Sequence, residues 1–103
     1  MLSGRFITPM VTACVQTRRI RSCLDKLDLA KIAVTGDDWG EINARIAIAQ
    51  AMLYRSRALE GSNNSVDSQF LMAIEAAQFA KENALDEKTR NFAISLLDEW
   101  GAN

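Results

Sequence analysis

Histidine is absent from the 103 residues of this chain. That removes the commonest general base and the commonest metal ligand. Cysteine occurs twice, as Cys14 and Cys23, and proline once, as Pro9. Without a histidine to activate it, neither thiol belongs to a Cys–His nucleophile. No glycine-rich phosphate loop of either common type is present. Long hydrophobic runs are also missing: Phe6–Thr17 carries no charge, but Pro9, three threonines and Gln16 interrupt it. Nothing approaches the ~20 apolar residues of a membrane span. Carboxylates cluster at Asp37, Asp38 and Glu41, yet they lack the alternating oxygen ladder and distal glutamate of a calcium loop. The sequence therefore implies no catalytic residues, no metal and no cofactor, and specifies no reaction.

What is present is an ordinary globular composition, 49% hydrophobic and 24% charged. The length suits one domain over 1–103, with 1–8 as a flexible arm. Net charge is −1, unevenly spread. Residues 1–24 hold four arginines and no acid, 25–59 are balanced, and 60–103 carry a clear acidic excess. Such a gradient draws the two ends together, within a chain or between chains.

Apolar side chains recur every three or four positions, and no stretch alternates as a strand does. The expected fold is all-α: a small four-helix bundle, up-and-down or nearly so, with helices near 9–34, 39–60, 66–84 and 87–100. Thr8-Pro9 reads as the first helix start. Ile20, Cys23, Leu27, Ala30 and Val34 make a seam spaced as in a coiled coil. The β-branched residues before it weaken the helix, and a break near Arg21–Asp25 is compatible with the pattern. Gly36 supplies a left-handed stop. Asp38 and Glu41 are spaced as a capping box. Gly61–Ser65 is the strongest loop. Asp86 is placed to cap the last helix, and Gly101 to end it.

On one continuous helix Cys14 and Cys23 stand ~13.5 Å apart along the axis, on opposite sides. A disulfide needs Cα atoms within ~7 Å. Reduced thiols follow from that reading, and with them a reducing, cytoplasmic setting. Residues 1–22 are acid-free and contain arginine, serine and threonine, so mitochondrial import is the minor alternative.

Two surfaces stand out. The second helix shows two apolar strips. Either neighbours sandwich this helix or a partner covers one side. The second strip, Ile48, Met52 and Leu59, with Tyr54 nearby, is the candidate surface for a protein partner or for a second copy in a homo-oligomer. Arg18, Arg19 and Arg21 are candidate phosphate contacts. The leading expectation is a non-catalytic protein acting by protein–protein contact as oligomer, adaptor or regulator. The alternative is a nucleic-acid-binding regulator using the arginine cluster.

Overall fold

The computed structural model describes residues 4–60 and 66–102. The predicted loop Gly61–Ser65 lies outside them. Within them the chain is all-helical, with five helices rather than four: α1 (Gly4–Gln16), α2 (Ile20–Ala33), α3 (Trp39–Glu60), α4 (Val66–Asn83) and α5 (Glu87–Glu99).

The expected first helix is two. At its end α1 closes with Arg18 in the left-handed region, φ 57°. The Arg18 amide donates to the Val15 carbonyl (3.1 Å) and the Arg19 amide to that of Cys14 (2.9 Å). This is the paired closure that ordinarily uses glycine at the left-handed position. The C-terminus of α5 shows the usual version. Gly101 has φ 70°, its amide donates to Asp98 (3.1 Å), and that of Ala102 donates to Leu97 (2.9 Å). Folding back at Arg18 brings Cys14 and Cys23 to a Cα separation of 6.4 Å, and they form a disulfide. The reduced-thiol expectation is thereby overturned, because it rested on an unbroken helix. Without free thiols at Cys14 and Cys23, a reducing compartment has no support from them.

The arm is corrected too. Residues 4–8 are helical, and Pro9 lies inside α1. Its missing N–H leaves the Arg5 carbonyl without an intrahelical partner, a cost of ~3 kcal/mol in an ordinary helix interior. Burial of Val11 and Cys14 offsets part of that cost.

α3 is the centre of the molecule. It packs against each of the other four helices. Its buried residues occur all around it, from Glu41 and Asn43 to Leu53 and Ala58. The sandwiched arrangement is therefore the one adopted. α2 runs antiparallel to α3: Asp28 accepts from Gln50 (2.6 Å) near mid-helix, and Arg21, earlier in α2, shares a groove with Arg57, later in α3. On the other side, α4 also runs antiparallel to α3. Alanines make that contact close: Ala44, Ala47 and Ala51 of α3 and Ala73, Ala77 and Ala80 of α4 are all fully buried. α1 and α2 reach α4 and α5 only through side chains, as where Lys31 Nζ lies 4.2 Å from the Phe79 ring centroid.

The junction between α4 and α5 is fastened by one carboxylate from α3. Glu41 Oε1 accepts from the Leu85 (2.8 Å) and Asp86 (2.7 Å) amides. Its Oε2 accepts from Thr89 Oγ1 and Arg45 Nε, both at 2.6 Å. Glu41 thus spends both oxygens across the fold instead of closing a capping box with Asp38. Asp86 does cap α5, accepting from the Lys88 amide at 3.1 Å.

Candidate functional site

Among the sequence-predicted partner residues, Ile48 has no exposed surface. It belongs to a buried cluster with Val11, Cys14, Ile20 and Leu24 of α1 and α2. The same cluster includes Ala80 of α4, Ala84 of the α4–α5 junction and Ala93 and Leu96 of α5, so neighbouring helices and not a partner surround Ile48. Met52 and Tyr54 are half-buried and pack on the same cluster. Only Leu59 is exposed, at 68%. The four residues do not make one open surface.

The exposed apolar side chains lie elsewhere. Leu29 (67%) and Ile32 (80%) stand on the outer face of α2. Exposed Ala33 borders Ile32, and Ala30 is exposed as well. The spacing of three puts Leu29 and Ile32 on adjacent turns of one face. Trp39 (43%) is also exposed, but it has company, meeting Phe79 edge to face at 6.3 Å between centroids.

The arginine cluster divides. Arg18, Arg19 and Arg21 are all exposed. Arg18 and Arg21 line a groove of about 460 Å³ in the bend between α1 and α2, together with Arg57 and Glu60 from the end of α3. Arg19 does not line it. The sequence alone held no signal for Arg57, which is 36 positions from Arg21 in the chain; antiparallel packing of α2 on α3 brings it in. Among the described residues the salt bridges are Arg45–Glu41 and Arg45–Asp86, so none of the three groove arginines is neutralised in that way. The start of α2 adds to the positive potential. Its N-cap, Arg19, makes no side-chain cap, and its first turn contains no acid. Positive charge at a helix N-terminus is opposed by the helix dipole.

A second groove of about 400 Å³ shares Arg21 and Arg57 with the first, and continues to Leu24, Asp25, Asp28, Tyr54, Gln69 and Met72. Burial raises the Tyr54 pKa, and Asp28 and Asp25 add to the rise against the pull of Arg57. Gln69 Oε1 is buried without a hydrogen-bond partner. The two grooves together are cationic at one end and carry carboxylates at the other.

Glu41 has a perturbed pKa but a structural setting. Burial pushes it up. Hydrogen bonds from Thr89, the Asp86 amide, Arg45 and the Leu85 amide outweigh that, and the net shift is downward. A carboxylate so fully engaged holds its proton poorly and has no free oxygen to offer a substrate. Among the described residues no group of three or more Cys, Asp or Glu side chains is placed to hold a metal ion, and no helix is long and apolar enough to cross a membrane. Comparison with protein-family models, with curated proteins and with solved structures finds no match.

Proposed function

We propose that this chain is a non-catalytic helical module that works by contact with another protein chain, a second copy of itself first, through the outer face of α2. The observation that carries the reading is the pair Leu29 and Ile32, 67% and 80% exposed on one helix face. Exposing two such side chains side by side forgoes roughly 1.5–3 kcal/mol of burial for each. A partner that covers them recovers it. The non-catalytic part rests on the absence of histidine and on the engagement of the Glu41 carboxylate by four hydrogen bonds. The Cys14–Cys23 disulfide favours an oxidising compartment over the cytoplasm.

Sedimentation equilibrium of the wild type and of the double variant L29D/I32D tests the proposal. Concentration-dependent association of the wild type, abolished in the variant at unchanged helicity, supports it. A wild type that stays monomeric at high concentration excludes self-association through this face. Nucleic-acid binding has less support than it had from sequence, because Arg19 does not line the groove that Arg18 and Arg21 line, and no aromatic ring lines that groove to stack on a base.

A further inference from the structure

Arg18 occupies a backbone position that is costly for any residue with a Cβ. Its φ is 57°, and glycine fills the equivalent position at the end of α5. A left-handed non-glycine residue costs about 1–2 kcal/mol. Strain of this kind is retained where the side chain is needed. The Arg18 side chain lines the groove with Arg21 and Arg57. Three guanidiniums and the Glu60 carboxylate give the groove a net charge near +2. A phosphate monoester carries about −1.5 to −2 at neutral pH, and guanidinium forks match phosphoryl oxygens in charge and geometry. The continuing groove has the opposite character. Asp25 supplies one carboxylate and Asp28 a second, whose Oδ1 already accepts from Gln50 Nε2, beside the apolar surface of Leu24 and Met72. Volumes of about 460 and 400 Å³ are in the range of small-molecule sites.

We propose that Arg18, Arg21 and Arg57 hold the phosphoryl group of a small phosphate monoester whose organic body carries an amino or hydroxyl donor and lies towards Asp25 and Tyr54. The disulfide between Cys14 and Cys23 closes the bend on which Arg18 stands, so it fixes the groove's shape. The groove adjoins the outer face of α2, since Asp25 and Asp28 lie one turn before Leu29 and Ile32, but neither of those two apolar side chains lines it.

The test is an amide NMR titration of the full, disulfide-intact chain at low salt, with inorganic phosphate, O-phosphoethanolamine and ethanolamine as probes. The expected result is saturable shifts at the amides around Arg18, Arg21 and Arg57. O-phosphoethanolamine should bind about fivefold tighter than phosphate, and ethanolamine should not bind. R57Q and R18G should each weaken phosphate binding about tenfold. R18G should at the same time melt no lower than the wild type, which separates lost binding from lost folding. D25N should bring O-phosphoethanolamine down to the affinity of phosphate. The proposal is overturned if no probe gives saturable shifts, if the shifts survive R18G and R57Q, or if a short RNA binds through these arginines while both phosphate probes do not.

Discussion

Gly40 of α3 passes against the backbone of Asn83 at the end of α4: a Cβ on Gly40 would lie 2.6 Å from the Asn83 carbonyl oxygen. One turn of contact this close sets the separation of α3 and α4, and it positions Glu41 under the following junction. The obstacle is backbone, so it cannot rotate aside. Gly40→Ala should destabilise the fold by about 1–3 kcal/mol despite the better helix propensity of alanine. A urea titration followed by circular dichroism reads this; a variant as stable as the wild type would show that the helices separate freely.

Glu41 supplies a pH dependence whose sign is fixed. Its folded pKa is depressed, so its contribution to stability is present above the unfolded value of about 4.3 and is lost as pH falls through the lower folded value. Glu41→Ala strands the Leu85 and Asp86 amides and Arg45 together, and should cost about 2–4 kcal/mol at neutral pH. Stability measured between pH 7 and pH 3 should fall less steeply in Glu41→Gln than in the wild type. Equal slopes would assign the acid sensitivity to other carboxylates.

The disulfide joins residues nine apart. Closing so short a loop stabilises by about 2–3 kcal/mol in the chain-entropy account. Reduction, or the double variant C14S/C23S, should lower the urea midpoint accordingly. The loss should appear first as faster hydrogen exchange in α1 and the start of α2, with α3 and α4 still protected. Uniform loss of protection would mean that the whole chain opens as one unit.

Ile32 and Ile48 make opposite predictions for the same substitution. Ile32→Asp, on an exposed face, should change stability by less than about 0.5 kcal/mol. Ile48→Asp, in the core, should unfold the chain, since an unpaired buried carboxylate costs far more than the chain's margin. Thermal melts of the two variants check the assignment of inner and outer faces.

The sequence carried the helical signals faithfully where they are local. α3 begins and ends at the expected residues 39 and 60. Asp86 caps α5 as its position implied, and Gly101 turns left-handed. What the sequence did not carry was the bend at Arg18. Arginine there offers no sign of a left-handed backbone, and the heptad-like seam through Ile20 and Leu27 hides the interruption. The cysteine pair held the clue, because a separation of nine is bridgeable only if the helix breaks between them. Glu41 was misplaced because its four donors come from 44 to 48 residues away or from one turn on, and spacing along the chain registers only the local one. Ile48 was misassigned because a helix buried on all sides and a helix with a binding strip share one apolar pattern; only the neighbours decide.

Among the described residues α3 is the helix whose backbone approaches all four others, and the two flanks meet through side chains, as at Lys31 and Phe79 and within the shared core. Side chains on the outer surface of α2 can be exchanged without repacking α4 and α5, and the reverse is equally true. A chain this small is thereby free to diversify the outer surface of one flank while preserving the other, with the alanine-lined contact between α3 and α4 as the part least open to change.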